Sequence, residues 1–235
     1  DLGIQPARKN TYEHKVFLQF DEKPNVSLSI NKKEFKYYND YIAYNNGPDA
    51  SFSDTEIIYV GYGIDHKNYS SYDGLDVTEK VVLAIAGEPK NRRGNYFISG
   101  GKKKSEWSTR NEISRKKEAA AKNGAKALIL INNRLFKRYS NEHMLSDTNK
   151  GEKRMSLASD KINENTQVLL FSDKNKDYLL QKNRKFMNFS FEKNYNEFSA
   201  NNIAALIKGS DFPDEYIVIT AHLDHVGIQN GIVYN

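Results

Sequence analysis

Four short apolar runs constrain the fold of this chain more than any other feature of its sequence. They read EIIYVG (56–61), KVVLAIA (80–86), AKALILIN (125–132) and QVLLFS (167–172). Each has the length of a strand, and none alternates polar and apolar residues as a strand with one face in water does. Strands that are apolar on both faces belong to sheets whose crossover connections cover them. The sequence therefore predicts a buried sheet with helices packed against it.

Helices are predicted beside two of these runs. Thr109 and Glu112 have the spacing of a capping box, in which two side chains satisfy the first N–H groups of a helix. The residues expected on its buried face, by helical spacing, are Ile113, Ala120 and Ala121. Gly124 can adopt the left-handed conformation that ends a helix. We also expect a shorter helix over 173–181 and a polar loop over 138–160.

Further strands are predicted on both sides of these elements. Residues 15–20 and 25–30 alternate polar and apolar side chains, as half-buried strands do. The composition changes near Ser199, after which 202–208 and 215–221 read as two strands joined by a polar turn. The second of these leads directly into a histidine.

Composition excludes several classes of protein. The 235 residues include no cysteine, which excludes a disulfide scaffold, a thiolate metal site and a cysteine nucleophile. The net charge is +5, but lysine is interleaved with acidic residues and no nucleic-acid-binding motif is present, so we expect no nucleic-acid partner. No apolar run approaches the roughly 20 residues of a membrane helix, so we expect no membrane-spanning segment.

His222 and Asp224 are the candidate site residues. A metal-binding histidine usually donates its second ring N–H to a carboxylate or carbonyl, and an aspartate two residues on can be that acceptor. His222 also follows a predicted strand, at the end where α/β sheets place their ligands. The alternative is a chance occurrence of the pattern among surface residues, because His-x-Asp is short. His225 is either a second ligand on a helical turn or, with Gly227 so close, a loop residue.

The remaining histidines are expected to be exposed surface residues, since each stands in a polar stretch without a partner at ligand spacing: His14, His66 and His143. No HExxH helix, GxSxG elbow or phosphate-binding glycine loop is present. The only metal-type signal in the chain is therefore the one at its carboxyl-terminal end.

The order and spacing of several segments resemble a known family. The segments are YVGYGI (59–64), YDGLDVTEKVVLAIAGEP (72–89), KKEAAAKNGAKALILINN (116–133) and NNIAALIKGS…DEYIVITAHLDHVGI (201–228). Together they resemble the protease-associated domain, and the return into the peptidase domain, of the co-catalytic zinc aminopeptidases. Glutamate carboxypeptidase II and the transferrin receptor share that architecture.

This resemblance implies a fold of class α+β or α/β. It would comprise a protease-associated domain, a β-rich barrel or sandwich with a few flanking helices, and the first strands of an incomplete α/β zinc-peptidase domain. Residues 1–21 would lead out of the peptidase domain, 22–198 would form the protease-associated domain, and 199–235 would begin the peptidase domain again. Tyr62 and Trp107 would be candidate contact residues of the accessory domain, with ordinary core packing as the alternative.

The same resemblance implies a function. His222 would be the first zinc ligand, and Asp224 the catalytic-site acid that orients it. The complete enzyme would hold two zinc ions and remove amino-terminal residues from peptide or protein substrates, in a secreted, periplasmic or cell-envelope setting. The other ligands would lie downstream, so this chain alone is expected to bind no zinc and to be inactive. The alternative is a non-catalytic binding module of a receptor-like homologue.

Overall fold

The computed structural model describes residues 4–8, 10–44, 49–147, 155–157, 166–212, 214–221, 227–229 and 232–234. The chain divides into two compact units. One is Phe17–Ser199, and the other combines Asp1–Val16 with Ala200–Asn235. His222, Asp224 and His225 lie outside the described residues.

The strands and helices are numbered in chain order. The strands are β1 (Gln5–Pro6), β2 (Glu13–Ile30), β3 (Lys33–Glu34), β4 (Tyr41–Ala43), β5 (Ala50–Tyr59), β6 (Asp65–His66), β7 (Tyr69–Ser70), β8 (Val81–Ile85), β9 (Ala127–Ile131), β10 (Met155–Leu157), β11 (Gln167–Phe171), β12 (Lys185–Ile203), β13 (Ala205–Leu206), β14 (Gly227–Gln229) and β15 (Ile232–Tyr234). The helices are α1 (Glu112–Lys122), α2 (Asn133–Asp147) and α3 (Lys176–Leu180), with 3₁₀ turns at Glu106–Ser108 and Asp173–Asn175. Among the described helices, none combines the length and the apolar character needed to cross a membrane.

Nine of the described strands form one mixed sheet. Its order is β10-β2-β12-β5-β8-β9-β11-β4, and β3 pairs with β2. The four strands β5, β8, β9 and β11 are parallel to one another, whereas β12 and β4 run antiparallel to their neighbours. All four apolar runs are thus strands of a single sheet, and the predicted sheet-rich mixed α and β class is confirmed.

Successive residues of the central strands face two separate core clusters, as the pleat of a strand requires. In β8, Val81 and Leu83 belong to one cluster, and Val82 and Ala84 to the other. Helices α1 and α2 contribute to the second cluster, while α3, β2 and β12 contribute to the first. The predicted burial of both sheet faces is confirmed for β8, β9 and β11. It is wrong for β5, which is only partly buried and whose Tyr59 is 48% exposed.

Helix α1 begins differently from the prediction. Asn111 occupies the N-cap position without a side-chain hydrogen bond, and Thr109 contributes only its backbone carbonyl to the Glu112 N–H. The predicted capping box is wrong because the Glu112 carboxylate is turned into the interior. Ala121 is exposed, whereas Lys116 is fully buried. Gly124 has a φ of +81°, as predicted for the residue that ends the helix.

Helix α2 replaces the loop predicted over 138–160 for as far as residue 147. Phe136, Ser140 and His143 share its buried face, at helical spacings of four and three residues. The prediction gave weight to the polar residues between them and missed this periodicity. His143 is consequently buried rather than exposed. The shorter helix predicted over 173–181 is confirmed as a 3₁₀ turn followed by α3.

The carboxyl-terminal strands also differ from the prediction. Residues 15–20 and 25–30 lie in one continuous strand, β2, and the predicted strand 202–208 is divided between β12 and β13. The described segment 215–221 forms no strand, so that prediction is wrong. No described strand pairs with it, so its backbone forms none of the inter-strand hydrogen bonds that define a strand. Ile217 is 95% exposed and Ile219 91% exposed.

Asp40 joins the turn before β4 to the segment after β11. Its carboxylate accepts hydrogen bonds from the Lys36 backbone N–H at 2.6 Å and from the Asn175 side chain at 2.8 Å, and it pairs with Lys174 at 2.8 Å. Burial alone would raise the pKa of this carboxyl, but the three partners outweigh burial and lower the pKa below its ordinary value of 3.8. The ionised form is therefore the one that stabilises the fold.

Asp40→Asn should lower the free energy of unfolding by about 1–3 kcal/mol at neutral pH. A lowered carboxyl pKa stabilises the protein fully above the unfolded value of 3.8, and this contribution is lost as the pH falls through the lower folded pKa. The gap between wild type and variant should therefore narrow below pH 3.8 in urea titrations. Asp73→Asn, an exposed control, should show neither effect. A pH-independent gap would show that the charge of Asp40 contributes nothing.

Gly63 lies in the turn that follows β5. Its φ is +65°, and a Cβ at this position would lie 2.9 Å from the Cβ of Ala84 in β8. Gly74 has a similar φ of +74°, but nothing lies within 4 Å of a Cβ added there.

Gly74→Ala should lower the free energy of unfolding by about 1 kcal/mol, because the only cost is the strain of a left-handed backbone. Gly63→Ala should lower it by about 1–3 kcal/mol more, because the added Cβ forces Ala84 to move. Equal losses of stability for the two variants in thermal or urea unfolding would contradict the close contact between Gly63 and Ala84.

Candidate functional site

The carboxyl edge of the parallel strands gathers the polar side chains of the larger unit. Because β5, β8, β9 and β11 are parallel, the loops that follow them meet at one edge of the sheet. Such edges are where α/β sheets bind their ligands. The loops contribute Tyr62 after β5, Glu88 after β8, Asn132 after β9 and Asp173 after β11.

A buried ion pair lies beneath this edge. Glu112 and Lys116 are one helical turn apart in α1, and their side chains are 3% and 0% exposed. The Lys116 Nζ is 2.9 Å from Glu112 Oε1, and it also donates to the carbonyl oxygens of Ile85 and Gly87, each at 2.9 Å. Burial lowers the pKa of Lys116, and the neighbouring Glu112 opposes that shift. All three donor hydrogens of the ammonium group are therefore used.

The Glu112 carboxylate connects three elements. Its Oε1 accepts from the Gly87 backbone N–H at 2.6 Å, and its Oε2 accepts from the Asn132 side chain at 3.1 Å. The Asn132 Oδ1 in turn accepts from the Leu135 backbone N–H at 3.1 Å, which caps the start of α2. The network thus fixes the ends of β8 and β9 to the two helices on one face of the sheet.

A second buried carboxylate, Glu88, organises the loop before α1. It accepts hydrogen bonds from the backbone N–H and hydroxyl of Ser105, each at 2.7 Å, and from the hydroxyl of Ser108. The 3₁₀ turn held in this way places Trp107 in the core beside α1. Glu88 is 5% exposed, so its charge is stabilised by fixed donors rather than by bulk water.

Two clefts adjoin each other above this network. The first cleft has a volume of about 560 Å³, and its lining includes Tyr62, Glu88, Lys104 and Glu112. The second cleft, of about 580 Å³, is lined in part by Lys137, Asp173 and Lys176. Both volumes fall within the range of small-ligand pockets. The residues common to both clefts are Ala86, Asn132 and Arg134.

The structure places the residues predicted from the sequence in different settings. Tyr62 lies half-buried in the first cleft, and its role as a contact residue stays a prediction. Trp107 is core, which was the alternative for it. Within the described ranges no three histidine, aspartate or glutamate side chains come close enough to hold a metal ion. His222 and Asp224 remain predictions, because both fall outside those ranges.

The Glu112–Lys116 pair was not predicted from the sequence, although the sequence contains a signal for it. Lys116 follows Ile113 by three residues and precedes Ala120 by four, so helical spacing places it on the apolar face. A lysine on an apolar face needs an anion, and a glutamate stands four residues before it. Asn132 was likewise read as the end of a strand, while its position directly before α2 is that of an N-cap.

Comparisons with known proteins give a coarse structural likeness. No protein-family model and no curated protein sequence matches the chain. Among solved structures, an aminopeptidase from Aneurinibacillus sp. strain AM-1 matches at 16% identity and a TM-score of 0.44, over 85% of this chain and 40% of that one. A peptidase M28 precursor from Shewanella amazonensis matches at 13% identity and a TM-score of 0.38, over 87% of this chain and 42% of the other.

A zinc aminopeptidase from Bacillus subtilis, BSAP, is similar at 12% identity and a TM-score of 0.39, over 85% of this chain and 38% of that one. The chain thus spans about two fifths of the length of these proteins.

Proposed function

We propose that this chain is part of a zinc-dependent aminopeptidase that removes amino-terminal residues from peptides. In this proposal residues 22–198 form a protease-associated accessory domain, and 199–235 begin the peptidase domain. We place the protein in a secreted, periplasmic or envelope setting. The observation that carries the proposal is the stretch EYIVITAHLDHVG, 215–227, in which an apolar run leads directly into His222 and Asp224.

The exposure of the apolar run supports this assignment. Tyr216, Ile217, Val218 and Ile219 are consecutive, so a strand formed from them would be apolar on both faces. Their exposed fractions lie between 70% and 95%. Contiguous exposed apolar surface usually marks a binding or assembly surface. The central sheet of a peptidase domain, covered on both faces, would provide that environment.

The connectivity of the two units gives further support. The segments 1–16 and 200–235 belong to one compact unit, although the whole of 17–199 separates them in sequence. Backbone hydrogen bonds link them, from the Ala7 N–H to the Ala204 carbonyl at 3.2 Å and from the Ala204 N–H to the Tyr12 carbonyl at 2.7 Å. A domain inserted into another domain has this arrangement, with its two ends close together.

The donor set fits zinc chemistry. Histidine nitrogen and carboxylate oxygen are zinc ligands, and the chain contains no thiolate that would complete a closed structural site. His222 would bind through one ring nitrogen, and Asp224 would accept the other ring N–H and fix the orientation of the imidazole. Zinc in such a site would supply a Lewis acid and a bound water of lowered pKa. The remaining ligands would come from outside this chain.

The test uses the protein extended through its peptidase domain. Purified extended protein should hydrolyse leucine-p-nitroanilide, lose this activity to a chelator and regain it with zinc. The 235-residue chain should be inactive under every condition. An extended protein that is folded but inactive with zinc would contradict the proposal and favour the receptor-like binding module.

A further inference from the structure

We propose that the two adjoining clefts at the carboxyl edge of the parallel strands form a binding site for an acidic peptide segment. We call them together the edge trough. It belongs to the unit 17–199 and does not use His222 or Asp224. The inference therefore stands separately from the proposed peptidase activity.

The edge trough is lined by more cationic than acidic side chains. Five cationic side chains line it: Lys90, Lys104, Arg134, Lys137 and Lys176. Three acidic side chains line it as well, but two of them, Glu88 and Glu112, are buried and enclosed by hydrogen-bond donors, and Glu112 is also paired with Lys116. The exposed charge is therefore positive, and an anionic ligand would be attracted to it.

Two of the cationic side chains have donors available to a ligand. Among the described residues, no ion-pair or hydrogen-bond partner is found for the side chain of Lys104 or Arg134. Arg134 lies where the two clefts meet, so its guanidinium can serve a ligand in either one. The five donors of a guanidinium match the two oxygens of a carboxylate, and such charge-assisted bonds are the strong ones.

Aromatic surface indicates a peptide rather than a small ion. Tyr62 is half-buried and supplies the accessible aromatic surface of the first cleft. Tyr96 also lines this cleft but is only 9% exposed, and the Lys90 ammonium lies 4.5 Å from the centre of its ring. Tyrosine offers a flat contact area at low entropic cost and is enriched where proteins bind other chains. Cations beside tyrosine rings suit a chain that carries both carboxylates and apolar groups.

The distribution of charge favours peptide over nucleic acid. Asp173 is exposed in the second cleft, whose other charged lining side chains are cationic. A nucleic-acid backbone carries a phosphate at every nucleotide and would bring such a group near this acid. An acidic peptide can place its carboxylates at intervals and avoid it. The Glu112 network also fixes the floor of the trough before binding, which lowers the entropic cost of association.

The experiment measures binding of fluorescein-labelled hexaglutamate to the 235-residue chain by fluorescence anisotropy at low ionic strength. The double variant Lys104→Ala/Arg134→Ala should bind roughly tenfold more weakly, because two charge-assisted contacts are lost. The matched control is Lys182→Ala/Lys208→Ala, which removes two exposed lysines that line neither cleft. It should bind as wild type does. Tyr62→Ala should weaken binding without any change of charge.

Other outcomes separate this site from the proposed function. His222→Ala should leave hexaglutamate binding unchanged, even if the peptidase proposal fails. If both double variants weaken hexaglutamate binding equally, binding depends on diffuse surface charge and the proposed site is wrong. Displacement of the peptide by oligothymidylate at lower concentration than by unlabelled hexaglutamate would overturn the peptide assignment.

Discussion

Lys116→Met is expected to destabilise the folded chain by about 3–5 kcal/mol, since removing one partner of a buried ion pair leaves the other charge buried and uncompensated. The Glu112 carboxylate would keep its hydrogen bonds from Gly87 and Asn132 but lose its cation. The carbonyl oxygens of Ile85 and Gly87 would also lose their donor. A loss of this size is a large fraction of the roughly 5–15 kcal/mol by which an ordinary domain is stable.

The chain offers a matched control on the same helix. Lys122 pairs with Asp65 at 2.8 Å, a distance close to that of the buried pair, but the Lys122 side chain is 75% exposed. Lys122→Met should therefore cost only about 0–1 kcal/mol. The double variant Lys116→Met/Glu112→Gln should recover part of the loss, because no unpaired charge stays buried. Urea unfolding of the four proteins measures all of these values. If Lys116→Met and Lys122→Met lower the free energy of unfolding equally, burial does not increase the contribution of the Glu112–Lys116 pair to stability.

His222→Ala should abolish peptidase activity in the extended protein, with a loss of at least about 10³-fold in kcat/KM, because a catalytic zinc site depends on all of its few protein ligands. Asp224→Ala should lower zinc affinity by about 10–100-fold, the usual effect of removing the group that orients a ligand. The control is His66→Ala, which replaces a histidine of the β6–β7 hairpin.

The stability of the chain, in contrast to its activity, should not depend on His222. In the 235-residue chain His222→Ala should leave the free energy of unfolding almost unchanged, because the residue is expected to serve a site rather than a core. A large loss of stability with retained activity in the extended protein would identify His222 as a packing residue and would remove the basis for a zinc site.

The sequence predicted the sheet well because the sheet depends on local composition. The runs at 80–86, 125–132 and 167–172 are apolar on both faces, and at the length of a strand that pattern favours a strand covered on both faces. Strand order and register depend on contacts distant in sequence, such as Val81 opposite Ala127 and Ala127 opposite Gln167. A single sequence contains no direct record of those pairs.

The errors arise where contacts distant in sequence override a local pattern or where composition obscures one. At Glu112 a local capping pattern competed with hydrogen bonds from Gly87 and Asn132, and these bonds, together with the Lys116 pair on the same helix, determined the orientation of the side chain. In α2 the helical periodicity of Phe136 and His143 was obscured by a polar composition. The segment 215–221 has the composition of a strand but no described partner. Local patterns indicate what an element can become, and the contacts that decide among the options are tertiary.

Zinc content, measured by elemental analysis after dialysis, tests most directly whether His222 is a zinc ligand. The extended protein should retain about two zinc ions per chain, as a two-metal site requires. His222→Ala should lose zinc, and the 235-residue chain should retain almost none. Full zinc retention by the His222→Ala variant would contradict the proposed ligand. Stoichiometric zinc on the 235-residue chain would contradict the proposal that the remaining ligands come from outside it.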